Sequence, residues 1–163
     1  MVSRCKKQCL AVSAATSVLV SSYYPVHPTI IIVQGRSMVP TLSDGKRYVL
    51  NRVVYLWQKP RRGDVAVFRD PHDNKAAVKR IIAIPGDSLL LTNNTIYLNG
   101  MRIPEPYLSL ETRTKVVGSD KSAFTLCHNE YFVLGDNRAM SEDSRHYGPI
   151  RRDQIVGRVI KQF

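Results

Sequence analysis

The chain has 163 residues, of which 44% are hydrophobic, a length and composition that suit one domain with its own core plus a terminal element. Its 24 Lys and Arg residues against 13 Asp and Glu residues give a net charge of +11, which favours contact with nucleic acid or anionic lipid. The basic residues are scattered in pairs without interleaved aromatic residues, which argues against a nucleic-acid partner. The three cysteines, Cys5, Cys9 and Cys127, imply neither a disulfide framework nor a metal site.

The first 28 residues have the composition of a targeting or membrane segment. Basic residues precede an apolar run from Leu10 to Val20, which is shorter than the ~20 residues that span a bilayer. A secretory signal, a membrane anchor and an amphipathic or core helix all fit this pattern. We favour a membrane anchor over residues 1–28, with residues 25–163 on the outer side, because basic residues before a span remain in the cytoplasm.

Residues 29–163 favour a mainly β domain, because short runs of strand-forming residues alternate with turns and no long amphipathic helix is evident. The continuous apolar run at residues 30–34 predicts a strand buried on both faces. Residues 101–128 are polar and irregular, and predict a reduced insertion over about residues 92–128. Further strands are predicted at residues 48–55, 65–68, 76–84, 88–91, 95–98, 131–134 and 154–160.

A serine and a lysine stand in settings that suit nucleophilic catalysis. Ser37 lies in the motif GRSMVPTL, residues 35–42, and Lys79 lies in the predicted strand AAVKRIIAI, residues 76–84. A serine hydroxyl is a poor nucleophile until a base removes its proton, and a lysine amine can do so only when burial lowers its pKa. Lys79 has small and apolar neighbours, and Arg80 points to the opposite face of the strand, where it can meet a carboxylate.

Neither residue indicates catalysis by itself. Most lysines in strands extend their amine to solvent, and a serine between glycine and proline is usually a turn residue. A third polar block, GDNRAMSEDSR at residues 135–145, adds a tight turn and three acidic residues that can pair with Arg138 and Arg145. A solvated charged loop is the alternative interpretation of this block.

Together the blocks resemble type I signal peptidases, the membrane-bound serine–lysine proteases that remove signal peptides from exported proteins. The motif GRSMVPTL looks like the nucleophile box, RGDVAVF at residues 62–68 the strand before the lysine, and VKRIIAIPGD at residues 78–87 the general-base box. The block that begins GDNR looks like the closing box. The resemblance covers about residues 29–160 and implies a coiled antiparallel β-sheet domain with an N-terminal membrane anchor helix and a small β insertion.

The resemblance implies a role for each matching residue. Ser37 would attack the scissile carbonyl, Lys79 would act as general base, and Ser141 would orient the lysine amine. The backbone amides of Ser37 and Gly35 would form the oxyanion hole. The matches to structural ion pairs are Arg80, Asp136, Asp143 and Arg145, and Ser144 matches a position near the site. The matches to pockets for small substrate residues are Ile31, Val33, Leu42, Ala77 and Val78.

The resemblance also implies substrates and a location. The substrates would be signal peptides of secretory preproteins, cut after small residues in an Ala-x-Ala pattern, and the partners would include membrane lipids but no nucleic acid. The location would be the bacterial cytoplasmic membrane, with a single span and the catalytic domain on the outer face. Mitochondrial inner-membrane peptidases share the same boxes, so that membrane is the alternative. No metal or organic cofactor is implied.

Other functions fit parts of the pattern. A self-cleaving serine–lysine repressor domain would need a DNA-binding module, for which the 28 residues before the first predicted strand are too few. A basic β domain that binds nucleic acid or anionic lipid without catalysis would leave Ser37 and Lys79 incidental. An inactive member of the family is a further alternative, although all the polar catalytic candidates are present.

Overall fold

The computed structural model describes residues 29–109, 112–116 and 121–162. The strands are β1 (Thr29–Ile32), β2 (Arg47–Asn51), β3 (Val65–Arg69), β4 (Ala76–Ala83), β5 (Ser88–Thr92), β6 (Thr95–Leu98), β7 (Met101–Arg102), β8 (Lys121–Thr125), β9 (Glu130–Leu134), β10 (Ile150–Arg151) and β11 (Ile155–Gln162). Two single-turn helices, α1 (Val54–Trp57) and α2 (Ser144–Tyr147), and a 3₁₀ turn at Arg152–Gln154 connect them.

The strands form two antiparallel sheets. The larger sheet has the order β1-β2-β11-β3-β4-β9-β10, and the smaller sheet has the order β7-β6-β5-β8. Register shifts in β11 and between β4 and β9 curl the larger sheet, because a bulge bends its strand and increases the local twist. The mainly β architecture with a curled antiparallel sheet agrees with the sequence-based prediction.

Apolar side chains of β4 point alternately to two cores. Ile82 packs with Phe132 and with residues of β5 and β6, so this core joins the two sheets. Ile81 packs on the opposite face with Phe68 of β3 and Val133 of β9. Burial of one such side chain contributes about 1.5–3 kcal/mol to folding. The centre of β4 is therefore enclosed on both faces, and this burial extends along the strand to Lys79.

The first strand differs from its prediction. The run at residues 30–34 was expected to be buried on both faces, but β1 is the edge strand of the larger sheet and Ile30 and Ile32 are 54% and 59% exposed. Within the described part of the chain, β1 pairs with β2 alone. The prediction was wrong because an apolar run reports hydrophobicity, whereas the position of a strand in the sheet depends on partners distant in sequence.

The second strand is shorter than predicted. Residues 48–55 are rich in strand formers, yet β2 ends at Asn51 and the chain turns into α1. The Asn51 Oδ1 accepts hydrogen bonds from the amides of Val53 and Val54, at 3.0 and 2.9 Å. An asparagine side chain that binds the backbone in this way favours a turn over a strand.

The segment at residues 101–128, expected to be irregular, contains two strands. Strand β7 extends the hairpin of β5 and β6, and β8 pairs with β5 from Ser88↔Thr125 to Thr92↔Lys121. Along β8, exposed residues alternate with partly buried ones, as expected for a sheet with one solvated face. Helix α2 and strand β10 were also not anticipated.

The predicted membrane anchor, residues 1–28, lies outside the described residues. Within the part of the chain that the structure describes, no helix combines the length and the apolar character needed to cross a bilayer.

Candidate active site

Ser37 lies in the loop between β1 and β2, which is closed at its base and anchored in a core. The amide of Val33 donates to the Lys46 carbonyl at 3.1 Å, and the Gly45 amide donates back to the Val33 carbonyl at 2.8 Å. Met38, the neighbour of Ser37, is buried in an apolar cluster. The Ser37 carbonyl accepts a hydrogen bond from the Asn137 amide at 2.9 Å, so the third sequence block contacts the first directly.

The structure brings Ser37 and Lys79 together. The two residues are 42 positions apart in sequence, and the Lys79 Nζ donates a hydrogen bond to the Ser37 Oγ at 3.0 Å. Lys79 is the fourth residue of β4, opposite Ala66 of β3, and its side chain is on the same strand face as Ala77 and Ile81. Only 7% of Lys79 is exposed.

The environment of Lys79 favours its neutral form. Burial lowers the pKa of the Lys79 amine, and the more distant carboxylates of Asp143, Asp70 and Glu142 oppose this effect in that order. Among the described residues, no carboxylate lies within ion-pair distance of the amine. Desolvation therefore prevails, since the charged amine gains no direct counter-ion that would restore its usual pKa.

Arg80 points away from Lys79 and holds the third block against β4. Its Nε and Nη2 donate to the two carboxylate oxygens of Asp136 at 2.9 and 2.7 Å, a bidentate geometry. Its Nη1 donates to the Gly63 carbonyl at 2.9 Å, and its guanidinium stacks on the Tyr107 ring at 4.1 Å. Strand alternation predicted that Arg80 would lie on the face opposite Lys79 and could meet a carboxylate there. That carboxylate belongs to Asp136.

A second buried ion pair shapes the rest of the third block. The Arg145 Nε donates to Asp143 Oδ1 at 2.8 Å, and its Nη2 reaches the Arg138 carbonyl at 2.7 Å and the Ser141 carbonyl at 3.2 Å. Asp143 is fully buried, caps α2, and accepts the Gly135 amide at 3.0 Å. One carboxylate and one guanidinium thus fix the backbone on both sides of Ser141.

The two serines of this block have different surroundings. Ser141 is buried and its Oγ has no hydrogen-bond partner among the described residues, so the expected bond to the Lys79 amine is not formed in this conformation. The Ser141 Oγ and the Ser37 carbonyl nevertheless lie 2.1 and 2.6 Å from the point where a Cβ on Gly135 would stand. Ser144 accepts the Val133 amide at 3.0 Å and ties α2 to β9.

The two expected oxyanion donors also differ. The Ser37 amide has no acceptor among the described residues. The Gly35 amide is already engaged, because it donates to Asp44 Oδ1 at 2.9 Å. Gly35 has a φ of +94°, a conformation that glycine adopts far more easily than other residues. In this conformation the serine amide is the donor that remains available.

Four of the five predicted pocket residues belong to one apolar cluster beside Ser37. Val33 and Leu42 are buried in this cluster, and Ile31 and Val78 pack against it. Ala77 packs instead against the core that contains Phe68, its partner in the β3–β4 register. The cluster therefore forms an apolar wall on one side of the serine, and Ala77 lies outside it.

Two polar residues of the site were not identified from the sequence. The Thr41 hydroxyl donates to Asp136 and accepts from the Arg80 Nη2 at 3.1 Å, so it completes the first ion pair. Arg138, expected to pair within its own block, binds Glu105. Thr41 lies inside the motif at residues 35–42, which was an available signal. Glu105 lies in the segment expected to be irregular, where nothing in the sequence marked it.

Comparisons with known proteins identify the family and similar structures. The family model described as "Signal peptidase, peptidase S26" matches residues 5–163. Signal peptidase IB of Staphylococcus aureus (strain COL) is 38% identical over 144 residues, 80% of this chain and 75% of its own. Signal peptidase I of Bacillus caldolyticus is 39% identical over 142 residues, 78% of this chain and 75% of its own. The crystal structure of a signal peptidase I from Enterococcus faecalis has a TM-score of 0.52 and 31% identity, and covers 64% of this chain and 98% of that one.

Gly135→Ala should disrupt the site. The new Cβ would stand 2.1 Å from the Ser141 Oγ and 2.6 Å from the Ser37 carbonyl oxygen, so the backbone around both serines must move. We expect the free energy of unfolding to fall by about 1–3 kcal/mol, the usual cost of overpacking, and the 3.0 Å contact between Lys79 and Ser37 to lengthen. Denaturant unfolding and a crystal structure measure the two effects. Ala139→Ser, which adds one atom at an exposed position nearby, is the control, and unchanged stability in Gly135→Ala would contradict the packing described.

Lys79→Met should stabilise the fold near neutral pH. Because burial lowers the pKa of Lys79 in the folded state, the unfolded chain binds more protons, and wild-type stability rises with pH up to the ordinary lysine pKa. Methionine avoids the cost of burying a charged group, so the variant's advantage should shrink between pH 7 and pH ~10. Urea unfolding across this range measures it, with the exposed Lys59→Met as control. A wild type more stable than Lys79→Met at pH 7, or a gap that does not change with pH, would contradict this account.

Proposed function

Because the chain belongs to the signal peptidase family, peptidase S26, and is a serine endopeptidase of the signal peptidase I type, we propose that Ser37 and Lys79 are its catalytic dyad. The observation that carries the proposal is the 3.0 Å distance between the Ser37 Oγ and the Lys79 Nζ, with the amine buried and its pKa lowered. A nucleophile within hydrogen-bond distance of a base is the arrangement that acyl transfer requires.

The proposed reaction begins with the neutral Lys79 amine. The Ser37 hydroxyl then donates its hydrogen to the Lys79 Nζ and loses the proton as the Oγ attacks the scissile carbonyl. The C–N bond breaks, and the Lys79 ammonium returns the proton to the leaving amine of the mature chain. Water, activated by the same amine, hydrolyses the acyl-enzyme, releases the signal peptide as a carboxylate and restores the Ser37 hydroxyl.

The negative charge on the substrate oxygen needs preorganised donors. We assign this role first to the Ser37 amide, which has no acceptor within the part of the chain that the structure describes. The Gly35 amide remains the proposed second donor, and it must leave Asp44 before it can bind the substrate oxygen. Ser141 is the proposed orienting residue for Lys79. Its support is a buried hydroxyl without a partner, placed next to the Ser37 backbone.

Specificity for small residues is proposed to arise at the apolar wall. Ile31, Val33, Leu42 and Val78 belong to one packed apolar cluster that includes Met38, the neighbour of Ser37. A packed apolar cluster leaves room for small side chains rather than large ones, which suits alanine one and three places before the cut. We therefore keep the Ala-x-Ala pattern, and Ala77 remains a proposed pocket residue because it is partly buried and shares a strand face with Lys79.

The cellular setting is also part of the proposal. Residues 1–28 would be a single membrane anchor, with the catalytic domain on the outer face of the bacterial cytoplasmic membrane, where signal peptides of secretory preproteins and lipid head groups are present. The basic start and the apolar run of this segment support an anchor, and the net charge of +11 suits an anionic lipid surface. Membership of a peptidase family argues against the alternative of a domain that binds nucleic acid or lipid without catalysis.

Alanine at Ser37 or at Lys79 should abolish cleavage of a peptide with an Ala-x-Ala junction. Loss of the general base alone should reduce kcat/KM by about 10²–10⁴-fold. In the wild type the rate should rise with pH as Lys79 loses its proton, with the midpoint of this limb below the ordinary lysine value of about 10.4, because burial lowers the pKa. Cleavage of the peptide in detergent from pH 5 to pH 10 measures both effects.

The matched control for this experiment is Lys75→Ala, which removes an exposed lysine of the same strand region. Circular dichroism must show that both dyad variants are folded. Retained cleavage in folded Ser37→Ala or Lys79→Ala would refute the dyad, whereas loss of cleavage in Lys75→Ala as well would indicate damage to the strand rather than loss of a base.

A further inference from the structure

A cavity of about 460 Å³ lies beside the third block, close to the proposed dyad. Asn137 and Ser141 line its inner end, and Asn137 also holds the Ser37 carbonyl through its amide. Arg113 and Lys115, from the described segment 112–116 between β7 and β8, line its exposed outer end. Apart from Ser141, none of these residues has a role in the proposed catalytic steps.

The cavity carries positive charge that no carboxylate among the described residues pairs with directly. Two of its arginines are already paired, Arg138 with Glu105 and Arg145 with Asp143. Arg113 and Lys115 are exposed, and neither forms an ion pair with any described carboxylate. His146 also lines the cavity, and its Nδ1 accepts the Asp143 amide. The outer end of the cavity therefore presents two cations that a ligand can reach.

The position of the cavity relative to the apolar wall indicates which part of a substrate it meets. The wall of Ile31, Val33, Leu42 and Val78 would hold the residues before the cut. The Asn137–Ser141 segment, which lines the cavity, contacts the Ser37 carbonyl and contributes no residue to the wall, so we place the chain after the cut along this segment. An extended peptide advances ~3.3 Å per residue, so the first few residues of the mature chain would enter the cavity.

We propose that Arg113 and Lys115 form a subsite that favours acidic side chains in the first few residues after the cut. The proposal rests on the function proposed above, because it takes its substrate direction from that reaction. Exposed ion pairs contribute modestly, about 0.2–1 kcal/mol each. The preference should therefore be graded, with acidic residues favoured and basic residues disfavoured, rather than absolute.

The test uses three peptides with one Ala-x-Ala junction that differ only at the second and third positions after it, which carry Asp, Asn or Lys. For the full-length wild type we expect kcat/KM to fall about threefold from Asp to Asn, and again from Asn to Lys. This order should nearly vanish in 1 M salt, where screening is strong. The double variant Arg113→Glu/Lys115→Glu should reverse the order, and Lys59→Glu, a charge reversal at an exposed position elsewhere, should preserve it.

A binding measurement separates this proposal from the proposed function. Fluorescence anisotropy with the Ser37→Ala variant reports the Kd of the same peptides without any cleavage. Absence of cleavage by the wild type would refute the dyad, but a tighter Kd for the Asp peptide, lost in the triple variant with Arg113→Glu and Lys115→Glu, would still support the subsite. Equal Kd values for the Asp and Lys peptides, or a preference that survives the double charge reversal, would overturn it.

Discussion

The buried ion pair between Arg80 and Asp136 is the interaction on which the site depends. It joins β4 to the block that begins at Gly135, while Thr41 attaches the serine loop to the same carboxylate. Three segments distant in sequence thus meet at one charge pair. A buried pair costs considerable desolvation and adds little net stability, but removal of one partner would leave an uncompensated charge and cost about 3–5 kcal/mol. Its main effect here is to fix the relative position of the three segments.

The buried basic residues of the site have two kinds of surroundings. Arg80, Arg138 and Arg145 each form an ion pair with a carboxylate, which compensates the charge of the guanidinium. Lys79 is nearly as buried, yet among the described residues it has only the Ser37 hydroxyl as a polar partner, and burial lowers its pKa. Alternation along β4 makes this possible, because adjacent residues point to opposite faces and only one face offers a carboxylate at contact distance. One strand therefore supplies both a paired structural cation and a buried amine whose pKa is lowered, the proposed general base.

The sequence predicted the features of the structure that depend on residues close together in the chain. The lysine strand, the opposite orientation of Arg80 and the neighbouring strands at residues 88–91 and 95–98 follow from period-two alternation and strand-forming residues, and all are present. The antiparallel, mainly β fold was also predicted. The resemblance to a known family, rather than any physical rule, supplied the pairing of Ser37 with Lys79.

The remainder depends on contacts that no local pattern encodes. The exposure of β1 follows from its edge position, which is set by the order of strands distant in sequence. The side chain of Asn51 overrides the strand propensity of the residues after it. The partner of Arg138 is Glu105, 33 positions away in a segment without periodicity, and the Gly35 amide is engaged by Asp44. Each of these features depends on a specific three-dimensional neighbour.

The most direct test of the central claim is the titration of the Lys79 amine by NMR. In protein labelled with ¹³C at the lysine side chains, the Cε resonance of Lys79 is identified by its absence from Lys79→Met, and its chemical shift is followed from pH 5 to pH 11. The account predicts a midpoint clearly below the ordinary lysine value of about 10.4, because burial penalises the charged form. A midpoint at or above that value would mean that the amine stays charged at neutral pH, and Lys79 could not then be the general base.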